Sequence, residues 1–378
     1  MAEEEIRRSD PGPLVTPELF HEWRTPRFGT ANPERLTNPV WEWLVRTELS
    51  AFAASRHFGL ASGECREPGW SFERFGRTTT TLGDGRCIHI AGEHEDAYDR
   101  DFCIYNDVVV RHVDGSLDIF GYPRETFPPT DFHSATVAGD DLVLVGNLGY
   151  PHERLEGTTQ VVLLDLSTFA MTPMQARGDG PGWIHRHSAA LTDDRRAIVI
   201  SRGLVQADAG PHAALRENGD EWQLDLASWE WQRLTNRNWR QWQLTRADRG
   251  VNHVSRLRSL SRFRDVHWAT EHRKSMEEMM QRETDALRAA YGADLAFDVC
   301  AELYVPAVSH EALTPIDEEP GAHRIRVEGT VVRYVESPWS VRVVIEGELP
   351  EGVAAALVAD VRDKLSIIER TDYEAREL

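Results

Sequence analysis

The chain has 378 residues, of which 62 are acidic and 42 are basic, so its formal net charge is −20. A chain this negative repels polyanions, which argues against general binding to nucleic acid or to an anionic membrane surface. It contains no apolar run of about 18 residues, and its first residues do not read as a signal peptide, so no membrane span is expected. The length allows two domains, and a hydrophobic fraction of 41% is enough to build packed cores.

The cysteine residues indicate whether the protein is expected in a reducing or an oxidising compartment. Cys65, Cys87, Cys103 and Cys300 do not have the spacing of metal ligands, and Cys87 and Cys103 lie in or beside apolar runs, where a thiol acts as a small hydrophobic side chain. The sequence therefore predicts a reduced, cytoplasmic protein without a cofactor.

Residues 1–69 are predicted to form an N-terminal arm followed by one helix. Asn38 is a suitable N-cap, Pro39 fits the first helical position, and Gly59 follows the expected end. Side chains at steps of three and four form one face, made by Val40, Leu44, Thr47, Ala51, Ala54 and Phe58. We expect this face to cover the side or one end of the domain that follows.

Residues 70–235 contain one pattern three times. Each copy has two strand-forming runs joined by a Gly/Asp turn, and the copies begin at Thr78, His133 and His187, which are almost evenly spaced along the chain. A repeat of about 50 residues made from strand pairs is typical of the blades of a β-propeller. His133 and His187 belong to the repeat and are predicted to make structural hydrogen bonds inside each blade.

A second pair of strands follows in each copy. The motif Leu164-Asp165-Leu166 with Phe169 returns as Leu224-Asp225-Leu226 with Trp229, and a Pro/Gly turn precedes the second and third copies. This arrangement resembles the kelch repeat family, which implies a propeller whose loops bind a partner. The chain departs from the family where a glycine pair should follow the second strand, since Gly146-Asn147 and Ser201-Arg202-Gly203 occupy these positions.

Three blades do not close a ring, because propellers have about four to eight. A three-blade array would leave two open edges. Two chains could complete a six-bladed ring as a homodimer, a degenerate unit could lie in residues 236–270, or the terminal segments could cap the edges. We favour the homodimer, because one two-fold interface removes both edges.

Residues 236–292 are interpreted as a basic connector that ends in a helix over residues 271–291. Arginines dominate its first part, including Arg237, Arg240, Arg246, Arg249 and Arg256, and Trp229, Trp231, Trp239 and Trp242 are interleaved near its start. Such a strip can bind phosphates or RNA with aromatic stacking platforms. The interpretation that we favour pairs these arginines with acidic groups of the protein itself, because the surrounding field is negative.

Residues 293–378 are predicted to form a small α+β domain. Residues 297–305, 324–335 and 340–345 indicate three strands, and a helix begins at Pro350 and buries Val353, Leu357, Val361, Leu365 and Ile368. Its role is open: it could dimerise, bind a partner or brace the repeats.

The loops after the second strand of each repeat carry the candidate binding residues, because equivalent loops open on the same end of a propeller. They are Glu93, His94, Glu95, Asp96, Tyr150, His152, Glu153 and His212. The histidines His94, His152 and His212 could bind a divalent metal if they converge. The Glu-x-x-x-Asp-x-x-x-His pattern of metal-dependent kelch-like specifier proteins is absent, so the resemblance implies no metal site.

Two classes of function follow. The first is a binding module whose propeller loops recognise a protein or a small ligand, with no nucleic-acid or membrane partner. The second is a metal-dependent isomerase or lyase that uses the loop histidines. There is no Walker motif and no Ser-His-Asp order that points to another enzyme class.

Overall fold

The computed structural model describes residues 14–60, 68–96, 99–208, 214–263, 273–291, 302–314 and 322–378. The chain forms two compact units, residues 1–235 (unit 1) and residues 236–378 (unit 2). As predicted, the protein is mainly β, and its strands form several antiparallel sheets. In the described part of the chain, no helix is long and apolar enough to cross a membrane.

Unit 1 begins with three short helices, α1 (Pro17–Trp23), α2 (Pro39–Thr47) and α3 (Ala51–His57). Asn38 caps α2 as predicted, because its side chain accepts hydrogen bonds from two amides at 3.0 Å. The prediction of one continuous helix is wrong. The chain leaves the helical path at Glu48, which has a left-handed φ of 54°, and Ser50 caps a new helix with a hydrogen bond to the amide of Ala53 at 3.1 Å.

Three sheets follow, each containing four strands of one repeat, and each strand pair that the repeat predicts is present. Sheet 1 comprises β1 (Glu34–Arg35), β2 (Thr78–Thr81), β3 (Cys87–Ile90), β6 (Val108–Arg111) and β7 (Leu117–Gly121). Between β3 and β6 the chain forms a separate hairpin of β4 (Glu93–Asp96) and β5 (Asp99–Ile104). Sheet 2 comprises β8 (Ser134–Ala138), β9 (Asp141–Val145), β10 (Val161–Asp165) and β11 (Met171–Met174).

The third repeat carries an additional small sheet made of β12 (Ile184–His185), β15 (Leu204–Gln206) and β16 (Leu215–Glu217). Sheet 3 itself comprises β13 (Ser188–Leu191), β14 (Ala197–Ser201), β17 (Trp222–Asp225) and β18 (Glu230–Arg233). In sheets 2 and 3 the strands are hydrogen-bonded in the order in which they follow along the chain. In sheet 1, β1 adds to the edge beside β7.

The hydrophobic cores of unit 1 lie between its layers. Along β9, Leu142 and Leu144 pack towards sheet 1, whereas Val143 and Val145 pack towards sheet 3, as expected for a strand buried on both faces. The remaining face of sheet 1 is covered by the N-terminal helices through a core that includes Val109. The N-terminal helices therefore cover a face of the sheet that follows them, as expected from their apolar side chains.

Backbone hydrogen bonds join successive repeats at equivalent positions. The amide of Phe132 donates to the carbonyl oxygen of Gly76, and the amide of Arg186 donates to the carbonyl oxygen of Phe132, both at 2.8 Å. All three residues have a left-handed φ, between 50° and 63°. Each repeat is thus attached to the next by the same turn geometry.

The repeat histidines connect the sheets in the same way. His133 is hydrogen-bonded through Nε2 to Thr78 Oγ1 at 2.9 Å, and His187 is hydrogen-bonded through Nε2 to Ser134 Oγ at 2.8 Å. Their structural role agrees with the prediction, but each histidine reaches the first strand of the preceding repeat and not a partner inside its own blade.

Unit 2 contains β19 (Arg240–Arg246), α4 (His253–Phe263), α5 (Arg273–Tyr291), β20 (Glu311–Ala312), β21 (Ala322–Val327), β22 (Thr330–Glu336), β23 (Val341–Ile345), α6 (Glu351–Glu369) and β24 (Tyr373–Glu377). The six strands form one antiparallel sheet in the order β20-β21-β22-β23-β19-β24. Helix α6 packs on one face of this sheet, where Leu357 and Leu365 share a core with Leu244 and Val343.

Unit 2 differs from the prediction in several places. The predicted connector supplies β19, which lies between β23 and β24. Residues 324–335 form a hairpin in place of one strand, because Glu328 and Gly329 turn the chain with φ values of 48° and 87°. Residues 302–305 are not a strand, residues 297–301 lie outside the described residues, and β24 was not predicted. The helices predicted over 271–291 and after Pro350 correspond to α5 and α6.

Candidate ligand-binding site

One end of the three sheets gathers the segments that carry the predicted binding residues. In an antiparallel pair the start of the first strand lies beside the end of the second, as Ser134 does beside Val145 and Ser188 beside Ser201. The segments before the first strand and after the second strand therefore meet at this end. We call it the loop face and define it by residues 91–96, 130–132, 147–154 and 184–186.

The structure brings two of the predicted segments together at the loop face. The hydroxyl of Tyr150 accepts a hydrogen bond from the amide of Ile104 at 3.0 Å, and its ring meets Phe102 edge-on at 5.8 Å between centroids. His152 is exposed and stacks on Tyr150, also at 5.8 Å. The β4–β5 hairpin of the first repeat therefore contacts the loop that follows β9 in the second repeat.

Glu153 is already paired within the chain. It forms an ion pair with Arg124, whose guanidinium lies 5.7 Å from the Tyr150 ring and 5.1 Å from the Phe28 ring. This carboxylate therefore holds Arg124 over Tyr150, and its charge is balanced locally.

The predicted metal site has no counterpart in residues whose placement is described. Within these residues, no three histidine, cysteine or acidic side chains cluster as metal ligands. His94 is buried, whereas His152 is exposed. His212 and the side chains of Glu95 and Asp96 lie outside the described residues, so a site that uses His212 stays a prediction.

Asp131, which was not predicted from the sequence, is fully buried at the centre of the loop face. Its carboxylate accepts a hydrogen bond from the amide of Gly149 at 2.7 Å. The second oxygen of this carboxyl group has no hydrogen-bond donor among the described residues, and the side chain of Glu93 lies close enough to act on the pKa of Asp131.

The surroundings of Asp131 act on its pKa in opposite directions. Burial raises the pKa of Asp131, while the amide of Gly149, the side chain of Glu93 and the positive charges of Arg154 and Arg186 act to lower it. Burial has the largest effect, so the pKa stays above its ordinary value.

His185 occupies the position in the third repeat that Asp131 occupies in the second. It is 1% exposed, and neither ring nitrogen has a hydrogen-bond partner among the described residues. Burial, and then the charges of Arg186 and Arg154, lower the pKa of His185 to about 3, so the ring is neutral near pH 7. Buried polar groups without a partner are uncommon in folded proteins and often mark a place for a ligand or an ordered water.

Amide side chains hold this centre in place. Asn147 accepts a hydrogen bond from the amide of Asp131 at 3.0 Å and donates to the carbonyl oxygen of Pro129 at 3.0 Å and to Gln160 at 3.2 Å. Gln160 in turn donates to Thr130 Oγ1 at 3.0 Å. Asn147 is one of the residues that replaces the glycine pair of the kelch pattern, and its side chain fixes the segment that contains Asp131.

A sequence signal for these residues did exist. Asp131 and His185 each stand two positions before a repeat histidine, so a polar side chain recurs at one register of two repeats. Asp131 lies within the predicted turn over residues 127–132, whereas His185 follows the predicted turn over residues 178–183.

The basic strip forms part of the fold of unit 2. Arg240 forms ion pairs with Glu351 and Glu377, and Arg246 forms ion pairs with Asp248 and Glu369. Arg249 is exposed in the turn after β19, and Arg237 and Arg256 also have interaction partners. The interpretation that pairs these arginines with acidic groups of the chain is confirmed for Arg240 and Arg246.

Two of the tryptophans beside the strip are not available for stacking on a nucleic acid. Trp231 and Trp242 are buried in the cores of unit 1 and unit 2, respectively. Arg240 lies over the Trp242 ring at 4.6 Å, so this cation–π contact is internal to unit 2. The composition of β19 is similar to that of a nucleic-acid-binding segment. In the structure, however, β19 is a central strand, and its arginines pair with acidic side chains of unit 2.

Comparison with known proteins adds little to this description. No protein-family model matches the chain, and no curated protein matches it. Among solved structures, the chain is similar to one titled "Structure of YjhT", with 10% sequence identity over 44% of this chain and 72% of that chain, and with a TM-score of 0.28. A similarity at this level does not bear on the fold or the function of this chain.

Proposed function

We propose that the protein is a binding module that recognises its ligand at the loop face of unit 1, on a scaffold of kelch-like propeller blades. The observation that carries this proposal is the meeting of polar groups from three repeats, namely Glu93, Asp131 and His185 with the arginines beside them. Loops on a rigid β scaffold are a common position for recognition sites.

The arrangement of the sheets supports blades. Sheets 2 and 3 each run as an antiparallel meander, and neighbouring sheets bury apolar side chains against each other. Equivalent hydrogen bonds through Phe132 and Arg186 join one repeat to the next. These are the features expected of stacked blades, in which each unit packs mainly on its neighbours.

The rim of the loop face supports recognition of a partner molecule. Phe75, Phe102 and Leu155 are 64%, 42% and 60% exposed, and each is next to a residue of the loop face, since Phe75 pairs with Glu93, Phe102 contacts Tyr150 and Leu155 follows Arg154. Exposed apolar side chains around a few buried polar groups are typical of binding sites, in which the apolar groups supply affinity and the polar groups supply specificity.

A thermal-shift screen of the full chain tests the proposal with a defined set of amino acids, sugars, organic acids, phosphates and nucleotides. We expect at least one compound to raise the Tm of the wild type in a saturable way and to lose this effect in a Phe102→Ala, Tyr150→Ala double variant. Val113→Ala is the matched control, because Val113 is exposed in the turn between β6 and β7, at the opposite end of sheet 1. Absence of any saturable shift, or an equal shift in the double variant, would overturn the proposal.

The homodimer also stays a proposal. Since the N-terminal helices already cover sheet 1, a second copy would have to join through these helices and the outer face of sheet 3. Light scattering on the full chain at micromolar concentration measures the state directly. A mass of two chains supports the six-bladed ring, and a mass of one chain excludes it.

A further inference from the structure

Two arginines at the loop face have no carboxylate in ion-pair contact within the described ranges. Arg186 is exposed, and its guanidinium lies 3.7 Å from the centroid of the Phe132 ring. Arg154 is half-buried and, among the described residues, donates to the carbonyl oxygens of Leu148 and Gly149, at 2.8 to 3.3 Å. Both guanidinium groups are thus held by a ring or by carbonyl oxygens and not by direct contact with a carboxylate.

These arginines are adjacent to Asp131. Arg154 binds the carbonyl oxygen of Gly149, whose amide donates to Asp131, and Arg186 stacks on Phe132, the next residue along the chain. Both arginines act on Asp131 and on His185, whose pKa is lowered to about 3 by burial and then by these charges, so its ring is neutral near pH 7. The centre therefore places two guanidinium groups around one buried carboxyl group and a neutral imidazole, although the whole chain has a net charge of −20.

His185 supplies a second, independent observation. The ring of His185 lies 6.5 Å from that of Phe132, on which Arg186 stacks, and both of its nitrogens are buried without a partner in the described part of the chain. An imidazole in this state has one donor and one acceptor to offer, so a ligand that entered beside the arginines could use both.

We propose that the centre of the loop face binds a small oxyanion, a carboxylate or a phosphate group, between Arg154 and Arg186, with His185 as a further hydrogen-bond partner. This inference rests on the proposed function, since it names the ligand class of the same face. A guanidinium matches the geometry of both oxyanions because its N–H groups can make two parallel hydrogen bonds. Stacking on Phe132 restricts Arg186 before the ligand arrives, which reduces the entropy lost on binding.

Isothermal titration calorimetry on the full chain tests this inference with lactate, inorganic phosphate and glycerol 3-phosphate as probes. Sodium chloride at matched ionic strength and neutral glycerol are the blanks. Binding of lactate would identify the ligand class as carboxylates, and binding of inorganic phosphate or glycerol 3-phosphate would identify it as phosphates. We expect saturable binding of one of these classes, weakened roughly tenfold or more in Arg186→Gln and in Arg154→Gln.

Arg195→Gln is the matched control for these variants. Arg195 is exposed in the turn between β13 and β14, at the opposite end of sheet 3, so the change in charge is the same and the affinity should not change. The Tm of each variant without ligand checks that it is folded. If no probe binds, or if both site variants bind as tightly as the wild type, the inference is wrong.

The outcome separates the inference from the proposed function. If compounds without an oxyanion stabilise the wild type and fail to stabilise the Phe102→Ala, Tyr150→Ala variant, the proposed function stands and only the ligand class is wrong. If neither neutral compounds nor oxyanions bind, both are wrong.

Discussion

The ring of Phe132, in the second repeat, lies 6.5 Å from the ring of His185, in the third repeat. This contact crosses the boundary between two sheets, and Asp131, beside Phe132, accepts a hydrogen bond from the amide of Gly149, which follows the second sheet's second strand. Packing of the sheets therefore also assembles the candidate site. Changes that separate the repeats should affect stability and ligand binding together.

Substitution Asp131→Ala is expected to lower the free energy of unfolding by about 1–3 kcal/mol, because it leaves the buried amide of Gly149 without an acceptor. Urea denaturation followed by tryptophan fluorescence measures this loss. Asp193→Ala, in the exposed turn between β13 and β14, is the control and should stay within about 0.5 kcal/mol of the wild type. Equal losses in the two variants would contradict a special role for Asp131.

Because the repeat histidines are buried, we expect the free energy of unfolding to fall in acid. Burial lowers the pKa of His133 to about 3 and that of His187 to about 4, whereas an unfolded histidine titrates near pH 6.5. The unfolded chain therefore binds more protons between these values, so stability is complete above about pH 6.5 and is lost as the pH falls towards the folded pKa values.

Between the folded and the unfolded pKa, each of these histidines lowers the free energy of unfolding by about 1.4 kcal/mol for every unit by which the pH falls. Urea unfolding of the wild type and of His187→Gln at several pH values should show a shallower dependence in the variant. His152→Gln, at an exposed position, should keep the slope of the wild type. Parallel pH dependences in the wild type and His187→Gln would refute this assignment.

Sheets 2 and 3 approach each other closely at Gly146, and alanine substitution there can be compared with the same substitution at Gly139, which serves as the control. Gly146 has φ 78°, and an added Cβ would overlap the carbonyl oxygen of Ile184 and touch the His187 ring. Gly139 has φ 67°, and an added Cβ there meets nothing within 4 Å. Both substitutions to alanine carry the same backbone cost of about 1 kcal/mol, so Gly146→Ala should be less stable than Gly139→Ala by roughly 1–3 kcal/mol in urea. Similar unfolding midpoints would show that the repeats adapt at this point.

In unit 2, the ion pair between Arg246 and Glu369 is expected to be essential for stability. Glu369 is 1% exposed and also accepts a hydrogen bond from the amide of Val254 at 2.9 Å. Glu369→Ala should cost about 3–5 kcal/mol in urea denaturation, because it leaves the buried guanidinium short of one partner. Glu311→Ala, which removes an exposed ion pair with Arg326, should cost no more than about 1 kcal/mol. A small loss in Glu369→Ala would show that the remaining partners of Arg246, Asp248 among them, satisfy its guanidinium.

Elemental analysis of the purified full chain tests the alternative of a metal-dependent enzyme. We expect less than stoichiometric iron, zinc or manganese, because three ligands do not cluster among the residues placed by the structure. A stoichiometric metal that is lost in a His94→Ala, His152→Ala, His212→Ala triple variant would instead favour the enzyme.

Local patterns were sufficient to predict most of unit 1. The strand pairs follow from alternating apolar runs between Gly/Asp turns, and both features depend on residues that are close together in the sequence. The break between α2 and α3 was missed because the apolar face continues across it, while a left-handed residue at Glu48 interrupts the backbone. In unit 2, β19 was missed because its arginines, which pair with distant acids, have the composition of an exposed strip.

The sequence by itself determined the three repeats, their strands and the loops that meet at one end of the sheets, because periodicity and turn residues act over a few positions. Only the tertiary structure decided which side chains meet there. Glu93, Asp131 and His185 belong to three different repeats and are far apart along the chain. Their proximity, and the pKa shifts of Asp131 and His185, depend on how the sheets pack and how deeply the groups are buried, and these quantities have no local signature in the sequence.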